Sequence, residues 1–258
     1  MNPHLAHIWI FPIKSLDGQR VPEAPVLAGG ALAHDREYCL LDDKGGILNG
    51  KRLGEAILGI RSEFHFGFGE VTLRHGAESV TGHLGRDKER LETWLGQRLQ
   101  QKVSLAQNTT GGFPDDTDYP GPTLISTATL REAAGWFGIE VEEARRRFRA
   151  NLEIDGVEAF WEDRLCGPAG EGVRFRIGEV QIDGMNPCAR CAVPSMDSRT
   201  GKISDSKFQK IFAKRRRKTL PAWADPARFD HFYRLAVNTR IPAQETGKRL
   251  HEQDEVLA

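Results

Sequence analysis

Cys188 and Cys191, in the run Cys-Ala-Arg-Cys, are the residues best suited to chemistry in this 258-residue chain. Two thiols at that spacing form half of a zinc site, a redox dithiol, or a coincidence in which both pack as small apolar side chains. A structural zinc site needs four ligands. The sequence offers no second such pair, no HxxxH, and no ligand spacing around Cys39, Cys166 or the eight histidines. A thioredoxin-like dithiol opens a helix whose N-terminus lowers the thiol pKa, and Pro194 within AVPSMD opposes a helix there. A further reading stands beside these: one thiolate ligates a metal held largely by something else, a soft ligand for a thiophilic centre. Arg190 would then stabilise anionic sulfur and any phosphate nearby.

Other cations and hydroxyls fit the same chemistry. Lys14-Ser15, Arg36 in HDRE and Arg149 in FRAN each close a strand or helix and sit in polar loops. A guanidinium matches phosphate oxygens in a bidentate way, and a hydroxyl residue at a helix start adds backbone N–H donors, a part open to Ser126. Each alone also reads as a surface cation. The runs 145–147 and 214–218 (KRRRK) read as solvated faces rather than nucleic-acid sites. No Walker-type glycine loop, GxSxG elbow or HExxH is present.

The elements that must position these groups are short. Residues 5–11 (LAHIWIF) alternate as a buried strand that Pro12 ends. Strand-like runs follow at 37–41, 47–48, 63–66 and 71–74, with DDKGG (42–46) as a hairpin turn. Leu91, Trp94, Leu95 and Leu99 mark a helix over 87–99, and a strand returns at 102–105. NTTGGFPDDTDYPG (108–121) is a loop long enough to be functional. A strand at 123–126 leads into a helix capped by Ser126 or Thr127 and running to about Phe137, and a second helix spans 141–148. Strand character returns at NLEID, VRFRI, EVQID and FYRLAV, broken by a helical stretch at 204–214. The strand at 180–183 is expected to end in a GMNP turn before the cysteines. The pattern predicts an α+β, mostly β fold, with a boundary in the region 85–115.

Composition narrows the class. Lys plus Arg and Asp plus Glu are 36 each, so the formal charge is zero, without the basic excess of a dedicated nucleic-acid binder or membrane-surface protein. Mean hydropathy is −0.46, and no apolar run approaches the ~18 residues of a membrane span. The N-terminus lacks the basic region of a signal peptide, and four cysteines without a disulfide framework fit a reducing compartment. A cytoplasmic location is therefore expected.

In order along the chain, FPIKSLDG (11–18), HDREYCLLDDKG (34–45), GKRL (50–53), DYPGPTLISTATL (118–130), RRFRANLEIDG (146–156), FWEDRL (160–165), PCARCAVPSMDSRTG (187–201) and LHEQDEV (250–256) resemble the MOSC family with its N-terminal β-barrel module. Phe11 stands for a usual Tyr and Gln253 for a usual Gly; a Tyr that members often carry near the C-terminus finds no assignment at Tyr233 or Leu235. The resemblance implies a β-barrel-like domain over 1–115 packed on a MOSC β-barrel domain over 116–258, binding the molybdenum cofactor (Mo-molybdopterin). It implies Cys191 as the catalytic thiolate and metal ligand, with Cys188 accessory. It puts Lys14, Ser15, Arg36, Arg149 and Arg190 on the pterin phosphate and ring edges, with Asp118, Tyr119, Ser126, Phe148 and Asn151 completing the pocket. Pyridoxal phosphate binding, another term attached to the family, has no residue assigned to it here. The implied activity is reduction of small N-hydroxylated compounds. Some relatives carry a ferredoxin-like domain that these 258 residues lack, so a separate ferredoxin- or flavoprotein-type donor is expected, with neither nucleic acid nor membrane as partner. The alternative is a non-catalytic carrier of the cofactor or of its sulfur.

Overall fold

A computed structural model describes residues 2–65 and 67–258. The first half contains β1 (His4–Ile10), β2 (Gln19–Val21), β3 (Glu23–Pro25), β4 (Tyr38–Leu41), β5 (Ile47–Leu48), α1 (Gly50–Leu53), α2 (Glu55–Leu58), β6 (Arg61–His65), β7 (Glu70–His75), β8 (Glu78–His83), α3 (Lys88–Leu99) and β9 (Ser104–Gln107). The second contains β10 (Leu124–Ser126), α4 (Thr127–Gly135), α5 (Val141–Phe148), β11 (Leu152–Asp155), β12 (Val173–Ile177), β13 (Val180–Ala189), α6 (Phe208–Lys218), β14 (Arg234–Arg240), β15 (Arg249–His251) and β16 (Val256–Leu257). The fold is α+β, with strand outweighing helix, 32% to 24%.

One eight-stranded sheet runs β16-β12-β13-β14-β10-β11-β1-β2. It curls until the start of β1 meets the segment before β16, where His4 bridges Glu255 and Leu5 N donates to Asp254 O at 2.8 Å. That junction is a bridge rather than a ladder, and no closed barrel forms among the described residues. Leu5, Ile8, Ile154, Phe175, Ile182 and Val237 fill its interior. The sheets β5-β4-β9 and β6-β7-β8 enclose a second core with Leu91, Leu95 and Leu99 of α3. A third, aromatic core joins Phe148, Phe208, Phe212 and Tyr233. The halves interlock: β1 pairs with β11 across the chain, and β15 returns to pair with β3.

Several boundaries differ from the sequence expectation. The expected strand at 180–183 does not turn at GMNP; β13 continues to Ala189, absorbing the irregularity as register shifts at 184–186 and 187–189. Such bulges accommodate Pro187, which has no N–H to donate, and Gly184, where a Cβ would sit 2.3 Å from the Leu165 carbonyl oxygen. The helix expected at 204–214 starts four residues later, because its apolar positions 208 and 212 seat in the aromatic core. The helix after Ser126 stops at Gly135. Phe66, the end of the strand expected at 63–66, lies outside the described residues, and polar β8 carried no apolar alternation to reveal it.

Candidate functional site

Between the halves lies a cavity of about 390 Å³. Its lining carries seven cations (Lys14, Arg36, Lys51, Arg147, Arg149, Arg190 and Arg234) against three carboxylates (Asp35, Asp115 and Asp116), together with Cys188 and Cys191. Each half supplies part of the wall, so neither could form the site alone.

Pro12 closes β1, and the turn that follows puts Ser15 in the left-handed region at φ +74°. Ser15 Oγ accepts from Gly50 N at 3.2 Å, tying this turn to the start of α1. Lys14, 7% exposed, donates to the carbonyls of Phe113 and Pro114 at 2.8 and 2.9 Å and pairs with Asp115 at 2.9 Å. Its charge therefore fixes the long loop against the first half. Although burial would raise it, Arg36 and Lys14 hold the Asp115 carboxyl down to about 2.

Arg36 and Arg149 also adopt left-handed backbones, at φ +49° and +52°, conformations that cost non-glycine residues energy and recur at functional sites. Both guanidiniums lie over the Phe11 ring, at 5.0 and 4.2 Å from its centroid. Arg36 is held by Asp35 and by Asn151 Oδ1 at 3.2 Å. Against the burial that would lower it, Asp35 and Asp115 keep its pKa above the ordinary value. Arg149 differs: its guanidinium donates no hydrogen bond to the described residues, and burial, then the charge of Arg36, lowers its pKa to about 10. Arg149 and Ser15 also border an adjoining cavity of about 250 Å³.

Asn151, 2% exposed, clasps three elements: its amide donates to Trp9 O at 2.9 Å, and its oxygen accepts from Arg36 and from Thr123 N at 3.3 Å. Arg190 donates to Cys188 Sγ at 3.2 Å and to the Phe148 carbonyl, while its Nε is buried without a partner among the described residues. Cys188 and Cys191 are partly accessible at the cavity wall, whereas Cys39 is fully buried. Burial pushes the Cys166 thiol up to about 12.

Nine of the eleven expected site residues line this cavity: Lys14, Ser15, Arg36, Tyr119, Phe148, Arg149, Asn151, Arg190 and Cys191. Two do not. Ser126 is fully buried and spends its hydroxyl on capping α4, accepting from Thr129 N and donating to Thr129 Oγ1. Asp118 is exposed; Asp116 instead enters the cavity, accepting from Tyr119 N at 3.1 Å and from Asn238 Nδ2 at 2.7 Å. Asn186, Arg234 and Asn238 were missed because only the pairing of β13 with β14 brings them here. Among the described residues no three His, Cys, Asp or Glu side chains converge as a metal site, so a metal at Cys191 would need most of its ligands from a bound group.

A family model for the MOSC N-terminal beta barrel domain matches residues 2–110, and one for the MOSC domain matches 123–245. The chain belongs to the MOSC domain family. It is similar to "Molybdenum cofactor sulfurase 1" of Aedes aegypti, 38% identical over 242 residues that cover 78% of this chain and 31% of the relative. It is also similar to "Molybdenum cofactor sulfurase" of Drosophila ananassae, 27% identical over 250 residues, 79% of this chain and 29% of the relative. The chain thus spans less than a third of the length of these relatives. The crystal structure of the YUAD protein from Bacillus subtilis aligns over 99% of this chain and 94% of that one, with a TM-score of 0.44 and 11% identity. No described helix is long and apolar enough to cross a membrane.

Proposed function

We propose that the chain binds the molybdenum cofactor in the cavity between its halves and reduces small N-hydroxylated compounds with electrons from a separate donor protein. The observation that carries this reading is one cavity whose lining holds both a partly accessible thiol, Cys191, and a guanidinium, Arg149, that makes no hydrogen bond or ion pair with the described residues. The donor set fits such a group. Arg149 and the orphaned Nε of Arg190 offer N–H donors of the kind a phosphorylated pterin requires, and a soft thiolate suits a thiophilic metal. When bound, the cofactor would supply two-electron redox chemistry at its metal.

This chain's residues would bind and orient. Arg36 and Arg149, stacked on Phe11, hold the anionic end; Arg36 is pre-aimed by Asn151 and Asp35. Cys191 Sγ ligates the metal, and Arg190 favours anionic sulfur at the same wall. Lys14 keeps the 113–116 loop closed over the site, which brings Asp116 and Tyr119 to the lining.

A second reading has its own support, since the relatives matched here are called sulfurases: the chain binds the cofactor, or its sulfur, and hands it on without turnover. The test is expression in a host that makes the cofactor, followed by metal analysis and hydroxylamine reduction with reduced viologen as donor. Near-stoichiometric molybdenum with turnover is expected. Bound molybdenum without turnover selects the carrier. Cys191→Ser should abolish metal retention and turnover, and Cys188→Ser should keep the metal; a Cys191→Ser protein that retains both would sink the ligand assignment.

A further inference from the structure

We propose that the outer face of α6 docks a small acidic electron-carrier protein; the choice of an electron carrier rests on the reductase reading. The helix buries Phe208, Phe212 and Arg216 at positions i, i+4 and i+8. That registry turns Lys210, Lys214, Arg217 and Lys218 outward together. With Lys207 and Arg215 they make six exposed cations, and among the described residues none of them has a carboxylate within ion-pair distance. Elsewhere the surface is extensively paired, as in Arg20–Glu252, Arg74–Glu63 and Arg249–Glu23. The whole chain is formally neutral, so this excess is local. Like charges four residues apart, Lys210/Lys214 and Lys214/Lys218, cost a helix stability, and a partner's carboxylates would offset that cost. Just after α6 in sequence come two aromatic side chains stacked with arginines, residue kinds enriched at interface centres, one of them on Arg217 of the patch. Trp223 is 40% exposed with Arg164 at 4.1 Å from its ring, and Phe232 has Arg217 at 5.6 Å.

What lies beneath the helix gives the patch its direction. The Phe212 ring is 5.1 Å from Tyr233 and 5.9 Å from Phe148, and Phe148 lines the cavity under Arg190. Outer face and cavity wall are thus separated by about one helix diameter, ~10 Å, plus the 5.9 Å contact between the Phe212 and Phe148 rings. The proposed reaction takes up two electrons and two protons, breaks the N–O bond and releases the amine and water; a two-electron carrier gives up both electrons in one docking, a one-electron carrier such as a [2Fe–2S] ferredoxin gives up one in each of two successive dockings, and each leaves oxidised. The patch is confined to a single helix face, a footprint that suits a compact acidic protein better than the extended track of a nucleic-acid backbone.

The test uses the full chain loaded with cofactor, a triple variant Lys210→Glu, Lys214→Glu, Lys218→Glu, and its Gln counterpart should the first fold poorly. Binding of a [2Fe–2S] ferredoxin and of a flavodoxin is measured calorimetrically at low and high ionic strength. At least one carrier should bind the parent, weaken with salt, and lose about tenfold or more affinity to the Glu variant and less to the Gln variant. Carrier-driven turnover should fall alongside while viologen-driven turnover stays unchanged. If neither carrier binds the parent, or the variants bind as the parent does, the docking surface is wrong. It is equally wrong if the substitutions abolish binding only to a short oligonucleotide or to anionic lipid vesicles. Should viologen drive no turnover in the parent, the reductase reading fails, while the binding comparison still decides the docking surface.

Discussion

Arg149 is held where burial and the like charge of Arg36 both weigh against a cation, so that its pKa is lowered to about 10 from an ordinary 12.5 although the Phe11 ring face offsets part of that cost. A base with a depressed folded pKa binds its proton more weakly folded than unfolded, so between about 10 and 12.5 stability rises with pH, and below that window a constant destabilising cost remains. An anion in the cavity would relieve it. Arg149→Met should therefore leave the cofactor-free protein as stable as the parent or slightly more so, against the ~1 kcal/mol loss of a typical substitution. Cofactor retention should drop at least tenfold, as expected for lost charge-assisted bonds of roughly 1.5–3 kcal/mol each. Denaturant titration of the free protein and molybdenum content after dialysis check both halves of this expectation. Arg149 was legible in the sequence as a cation at a helix end. Its left-handed backbone, like those of Ser15 and Arg36, was not, because nothing in those residue types calls for a positive φ.

Among the elements, the turn 160–166 beneath α4 has its own electrostatics. Glu162 is 1% exposed; its Oε2 accepts from Thr129 Oγ1 at 3.1 Å while its Oε1 has no hydrogen-bond partner among the described residues. Burial, and then the charge of Asp163, push its carboxyl up to about 7 from an ordinary 4.5. An acid with a raised folded pKa contributes stability that is fully present below about 4.5 and lost as pH climbs through about 7. The parent should lose on the order of 3 kcal/mol across that window, and Glu162→Gln should remove most of the loss. Urea unfolding of both proteins at mildly acidic and mildly alkaline pH measures it; equal slopes would show that Glu162 is ionised in the fold. The same element illustrates a misreading. Ser126 was rightly expected at a helix N-cap, but a cap hydroxyl that satisfies Thr129 N has no lone pair aimed at the cavity. Likewise GMNP looks like a turn because Gly and Pro punctuate most chains, yet here they sit at bulges within β13.

For the molecule as a whole, strand pairing overrides the order of the sequence. β1 and β2 belong to the sheet built mainly by the second half, β15 returns to β3, and Asn151 ties Trp9, Arg36 and Thr123 together. Residues from both ends of the chain share one core, Leu5 and Val256 among them. The halves should consequently unfold together, with tryptophan fluorescence and far-ultraviolet circular dichroism tracing one urea transition; two separated transitions would show independently stable domains. The sequence by itself determined the local features: the α+β class, the amphipathic helix 88–99, the thiol pair, and most of the cations that line the cavity. Those follow from periodicity and side-chain chemistry, which act between near neighbours. Only the tertiary structure decided that Asp116 rather than Asp118 enters the cavity, that Asn186 and Asn238 join it, and that Lys14 is occupied while Arg149 makes no hydrogen bond or ion pair with the described residues. Each of these depends on which segments the curled sheet brings within hydrogen-bonding distance, and such pairings span a hundred residues or more, as between Lys14 and Pro114 or Asp116 and Asn238.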